Sequence, residues 1–193
     1  MASLVDTELV REFAGIDDGA FDTLLESIVE GVGSRVENLM RRTIRATNYD
    51  ETYVSTGNSA IVLDNGPIIQ VPSTETDAAE PTEGTGVLTS DDYRIEGQSL
   101  IRLSGGVTAA WATGDVTISY RAGWEYEDIP KDLQLEIAKQ AAWEWKQSKP
   151  GGNRLGLSGK DNPNGSAVYI DLVDGLIPSL VSLVNSPRYQ SVL

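Results

Sequence analysis

Val116-Thr117-Ile118-Ser119-Tyr120-Arg121-Ala122-Gly123-Trp124, followed by Ile129-Pro130 and the spaced apolar residues Leu133, Ile137, Ala141 and Trp145, is the stretch that decides the fold. In its first half Ile118 and Tyr120 alternate with Thr117 and Ser119, the two-residue period of a strand with one buried face. In its second half the apolar spacing lengthens to that of a helix. Pro130 stands at the first helical position, where the missing N–H wastes no hydrogen bond. A strand passed directly to a strong helix across an Ala-Gly-Trp turn predicts an α+β protein.

Upstream, the two-residue period continues back to Tyr49, with turn signals at Asn65-Gly66-Pro67, Gly105-Gly106 and Gly114-Asp115. Strands are expected near 49–55, 60–63, 68–72, 92–96, 99–103, 107–112 and 115–121. Ser73 to Ser90 has few apolar residues and reads as a long exposed loop. Before residue 49 the pattern is helical. Asp6 or Thr7 caps a short helix that Gly15 ends, and a longer one starts at Asp17 or Asp18. Phe21, Leu24, Leu25, Ile28, Val32, Val36 and Leu39 mark its buried stripe. Gly31 and Gly33 each cost it about 1 kcal/mol against alanine, so a close neighbour needs the bare surface or the helix bends there. Arg41, Arg42 and Arg45 read as charges complementing its C-terminal dipole, with phosphate contact as the alternative.

Downstream, Pro150-Gly151-Gly152 ends the third helix. Ser148 to Ser166 reads as a flexible connection, with a turn at Asp161 to Gly165; a strand-like run, Val168 to Val173, and a short helix, Pro178 to Val184, follow it. The expected architecture is α+β: a small helical bundle of three main helices (5–14, 18–42, 130–148), an inserted, mostly antiparallel sheet over 49–124, and an extended C-terminal arm. Residues 1–148 form one domain, and 149–193 a flexible linker and docking arm. Leu25, Ile28, Val36, Leu133 and Ile137 are expected in a shared core.

Composition narrows the function. The 193 residues carry 29 acids against 15 bases, a net charge of −14, with neither cysteine nor histidine. That removes disulfides, thiolate chemistry, the commonest general base and the commonest zinc ligand. It also opposes adhesion to phosphate backbones and anionic membranes. Residues 49–129 hold most of the excess, fourteen acids to three bases, while 130–193 are close to neutral. Apolar runs fall short of the ~20 residues that span a bilayer. The opening Met-Ala-Ser-Leu-Val-Asp lacks the features of an export signal, so synthesis in the cytoplasm is expected.

No nucleotide-binding loop, nucleophile elbow or zinc spacing occurs. Asp91 with Asp92, and Glu125, Glu127 and Asp128, read as solvated loop charge rather than acid–base pairs. No catalytic residue, metal or cofactor is expected. Trp111, Trp124, Trp143 and Trp145 read as packing residues. Trp143 and Trp145 lie roughly 200° apart around their helix, so both cannot face one core, and Trp143 is the candidate for contact with another chain.

The order of these elements resembles the head–tail connector (adaptor) family of long-tailed bacteriophages and related prophage particles. Leu9, Phe13, Ile16-Asp17, Asp22, Leu25, Ile28, Val36-Glu37, Arg42 and Ile44 are similar to its paired N-terminal helices. Val116 to Trp124 with Ile129-Pro130, Leu133 and Ile137 resembles its last strand, Ala-Gly-aromatic turn and third helix. Ile177-Pro178, Val181, Leu183-Val184 and Pro187-Arg188-Tyr189 resemble its terminal segment. The resemblance implies a structural virion protein at the head–tail joint. It would form a homo-oligomeric ring, a dodecamer in the family, between the portal protein and a tail or stopper protein. DNA would pass through the channel without specific binding. Ile177, Pro178, Val181, Val184, Pro187, Arg188, Tyr189 and Trp143 are then the partner-binding residues. The arm is expected on the portal or a neighbouring copy, the alternative being that it folds back on its own chain. A tail terminator, a minor tail protein and a carboxylate-dependent hydrolase are the competing readings.

Overall fold

The computed structural model describes residues 4–17, 19–71, 81–83, 86–148 and 172–189. All but Ser148 of the expected connection over 148–166, its turn at 161–165, Asp18, and most of the 168–173 run lie outside them. Contacts group the chain into two units, Met1–Arg41 with Ile129–Val192, and Arg42–Asp128. The strand segment closes a hydrophobic core of its own. No helix among the described residues is long and apolar enough to cross a membrane.

The helical unit begins with α1 (Thr7–Ala14). The Asp6 carboxylate accepts from the Glu8 N–H at 2.9 Å, and Gly15 turns left-handed at φ 72°, as the capping signals require. Helix α2 (Asp22–Met40) starts later and stops earlier than expected. Arg41 takes the left-handed C-cap position, and the chain then leaves the helix, so Arg42 and Arg45 are not helix-end charges. The buried stripe of α2 is Leu25, Val29, Val32, Val36 and Met40; Ile28 and Leu39 are half-buried, and Phe21 and Leu24 exposed. The predicted stripe was one residue out of phase at two positions, because consecutive apolar pairs (Ile28-Val29, Leu39-Met40) leave the phase to packing. Gly33 supplies bare surface: a Cβ there would sit 2.2 Å from Leu4 Cδ1, whereas Gly31 faces open space.

The β unit runs through β1 (Thr47–Ser55), β2 (Ala60–Val62), β3 (Ile68–Gln70), β4 (Thr82–Glu83), β5 (Gly86–Val87), β6 (Tyr93–Glu96), β7 (Ser99–Ser104), β8 (Val107–Thr108) and β9 (Gly114–Ala122). All pairings are antiparallel. One sheet has the order β1-β9-β4-β5, with β3 also on β9; the other has β2-β7-β6, with β8 on β7. Every second residue of β9, Val116, Ile118, Tyr120 and Ala122, is fully buried, as the alternation predicts. These side chains join Ile61, Leu63, Leu88, Tyr93, Leu100 and Trp111 in one core drawn from both sheets. The 73–90 stretch is therefore not all exposed loop: Pro81 and Leu88 are buried, and β4 pairs with β5. Only 107–108 of the predicted 107–112 strand is extended in a ladder.

A 3₁₀ turn (Tyr126–Asp128) leads to α3 (Lys131–Gln147), with Pro130 at its N-cap, and α4 (Pro178–Val184) returns to the helical unit. Among the described residues the fold is thus mixed α and β, with four helices and two antiparallel sheets.

Candidate partner-docking site

α3 is the platform of the helical unit; α1, α2 and α4 all pack on it. Its apolar face presents Leu133, Ile137, Ala138, Ala141 and Trp145, all buried. Gln140, one heptad beyond Leu133, interrupts that face and is fully buried. A buried amide must find partners for both its ends, and here they come from the returning C-terminal segment. Gln140 Oε1 accepts from the Ile177 N–H at 2.7 Å, while its Nε2 donates to the Gly175 carbonyl at 3.2 Å and to Glu144 Oε1 at 2.6 Å. Arg35 of α2 pairs with Glu144 and also donates to the Gly175 carbonyl at 3.4 Å.

Asp174 and Gly175, both at positive φ, shape the turn that offers this backbone, and Val173 and Leu176 exchange two 2.9 Å hydrogen bonds across it. An Asp-Gly pair suits that geometry, since both central residues must be left-handed. Beyond it Leu176, Ile177, Leu180, Val184 and Tyr189 are buried. Ser179 donates to Glu136 at 2.6 Å. At the far end Asp132 accepts from the Tyr189 hydroxyl at 2.7 Å and from Arg188 at 3.0 Å. The Tyr189 hydrogen bond, with the Leu133 N–H and the Arg188 charge, holds the Asp132 carboxyl below its ordinary range against the opposing effect of desolvation.

The predicted binding residues therefore divide. Ile177, Val184 and Tyr189 are buried within the chain's own helical unit, which is the fold-back arrangement rather than an extended arm. Pro178, Pro187 and Arg188 are exposed, and Val181 and Trp143 half-buried. The face of α4 that packs is 177-180-184 rather than 177-181-184. Trp145 is buried, its ring 4.8 Å from that of Phe21, which leaves Trp143 as the outward member of the pair. Sequence reading missed Gln140, Asp132, Glu136 and Arg35. The signal for Gln140 was present, a polar residue at an apolar heptad position. The other three lie on mixed faces with nothing to single them out.

In the β unit the polar constellation is Glu51, Tyr53, Asn65 and Tyr120. The Glu51 carboxylate accepts from the Tyr53 hydroxyl, from the Tyr120 hydroxyl at 2.5 Å and from Asn65 Nδ2 at 3.1 Å. Burial, then the hydrogen bond to Glu51, pushes the Tyr120 phenol up to about 12 and raises that of Tyr53 as well. Both phenols are locked as neutral donors, an arrangement that fastens β1 to β9.

Arg42 is buried, lies 4.9 Å over the Trp124 ring and donates to the Gly66 carbonyl at 3.2 Å, so it is a packing residue rather than a phosphate ligand. The Ala-Gly-Trp turn owes its glycine to close approach: at φ 111°, a Cβ on Gly123 would stand 2.5 Å from the Arg45 carbonyl oxygen. Asp92 caps Thr89 and lies 3.6 Å from Arg102, and Glu125 pairs with Arg121 at 2.9 Å. Among the described residues no group of three or more acidic side chains is placed to hold a metal ion.

No family model matches the sequence, and no curated protein matches it. Among solved structures, a chain in the neck of an empty gene transfer agent (GTA) particle, computed with C6 symmetry, superposes with a TM-score of 0.56. The two are 14% identical, over 98% of this chain and 91% of that one. A chain in the neck of a native GTA particle computed with C12 symmetry gives 0.53 at 15% identity, covering 100% and 94%. A chain of the native GTA virion gives 0.53 at 16%, covering 95% and 89%. This chain shares its fold, along nearly its whole length, with chains of gene transfer agent necks and virions.

Proposed function

We propose that this chain is a structural neck protein of a phage-like particle: a head–tail connector (adaptor) that forms a ring between the portal and a tail or stopper protein. The observation that carries the reading is the full-length likeness to neck chains, a fold shared end to end with a protein of that location. The ring would contain twelve copies and surround the DNA channel. An acidic body favours that use, since DNA must slide past without adhering. The three longer helices then act as a small bundle, and residues 149–193 as linker and docking arm. Ile177, Val184 and Tyr189 hold the arm's end on α3. Pro178, Val181, Pro187, Arg188 and Trp143 offer surface to the portal or a neighbouring copy. No catalytic step, metal or cofactor belongs to this function.

Deleting the gene from its producing genome and examining the particles by electron microscopy tests the proposal. DNA-filled heads separated from complete tails are expected, restored to joined particles by the gene supplied in trans. Heads and tails joined normally without the chain would overturn it.

A further inference from the structure

Among the described residues the sheet β1-β9-β4-β5 ends at β1 and at β5, and the two edges match. There β1 pairs with β9 and β5 with β4, and neither presents its other side to a further described strand. Among the described residues the most exposed large apolar side chain, Val54 at 76%, is on β1; Val87, at 67%, is on β5. Registers place them on the same face at nearly the same height. Thr52 opposes Thr117, Thr117 opposes Thr82 and Thr82 opposes Val87, so Val87 stands in the row of Thr52, two residues from Val54. Successive strands alternate in direction, so β5 runs opposite to β1. A copy displaced sideways along the sheet brings its β5 against β1 of the next in antiparallel sense, with Val87 directly opposite Thr52 and Val54 its diagonal neighbour on the same face. A crevice of about 230 Å³ at the end of β1 is lined by Tyr53, Val54, Ser55, Ala60, Ile61 and Val62.

We propose that copies of this chain associate head to tail by pairing β5 of one with β1 of the next, continuing the sheet from subunit to subunit. Such a heterologous contact closes into a ring when its rotation permits. The occupant of the β1 edge is a second copy because one displacement satisfies strand direction, register and face together. Neither Gly86 nor Val87 brings charge into an acidic unit. The proposal rests on the ring reading above and specifies its contact.

The absence of cysteine allows a direct test. Thr52→Cys and Val87→Cys replace exposed, directly opposed side chains and leave the core untouched. Under mild oxidation, an equal mixture of the two single variants should give a disulfide-linked dimer on non-reducing gels. The double variant should give a ladder of covalent oligomers, and each single variant alone no cross-link. A dimer from Thr52→Cys alone would mean β1 pairing with β1 and overturn the proposal. Rings visible in the microscope with no cross-link would overturn it while leaving the ring standing. A chain monomeric by light scattering at every concentration, without cross-links, would remove both the proposal and self-assembly of the ring.

Discussion

At Gln140 the apolar stripe of α3 calls for a hydrocarbon side chain, and a primary amide stands there instead. Besides Glu144 on its own helix, its partners are backbone groups of a segment 35 or more residues away, so most of its value depends on that segment being in place. Gln140→Leu leaves the Ile177 N–H buried and unpaired, and a loss of about 1–3 kcal/mol in denaturant unfolding is expected. A change within ~0.5 kcal/mol, the size of a typical surface substitution, would show that the segment holds without it. The phenols of Tyr53 and Tyr120 give a second residue-scale expectation. Because the folded Tyr120 holds its proton up to about 12, against ~10 when unfolded, its stabilising contribution is complete below pH ~10 and declines as pH rises through 12. In an absorbance titration of the seven tyrosines, Tyr53→Phe and Tyr120→Phe should each remove a late-titrating phenol. Normal titration of all seven in the folded protein would contradict the network.

α4 has only seven residues, too few to be stable in isolation, so its helicity comes from docking through Leu180 and Val184. The latch beside it is acid-sensitive in a defined direction. The Asp132 carboxyl is held below its ordinary ~3.9, mainly by the Tyr189 hydroxyl, so the stabilisation it gives is present above that value and lost as pH falls through the lower folded one. Hydrogen exchange over residues 176–189 should therefore lose protection in acid before the centre of α3 does, and Asp132→Asn should abolish that dependence. Protection unchanged at about pH 3 in the native sequence would show that apolar burial alone holds the element.

Each copy of the whole molecule brings a net charge of −14 to any assembly, so association must overcome like-charge repulsion by apolar and backbone contact. Salt shortens the range of that repulsion, to about 8 Å at physiological strength and ~3 Å at 1 M. Ring formation followed by light scattering should strengthen as sodium chloride rises from low to moderate concentration. Weakening over that range would mean that ion pairs between copies dominate and would argue against the neutral β5–β1 contact.

Local periodicity settled the elements. The alternation of Ile118 and Tyr120 located β9, the Pro130 signal located the start of α3, and Asp6 and Gly15 bounded α1, because strand period, caps and turns act over a few residues. The sequence alone also excluded cysteine and histidine chemistry and set the acidity of the middle segment. What tertiary structure decided is every choice between locally equivalent options. Ile28 and Val29 are equally apolar, and only tertiary packing selects Val29; Val181 and Leu180 differ by one position, and burial of Leu180 and Val184 together with the Gln140 and Glu136 hydrogen bonds sets which of them faces inward. Whether residues 172–189 lie on their own helices or reach outward could not be read from their composition. The groups that hold them, Gln140, Asp132, Glu136 and Arg35, are scattered over more than a hundred residues, and only folding brings their hydrogen-bonding partners within 3.5 Å.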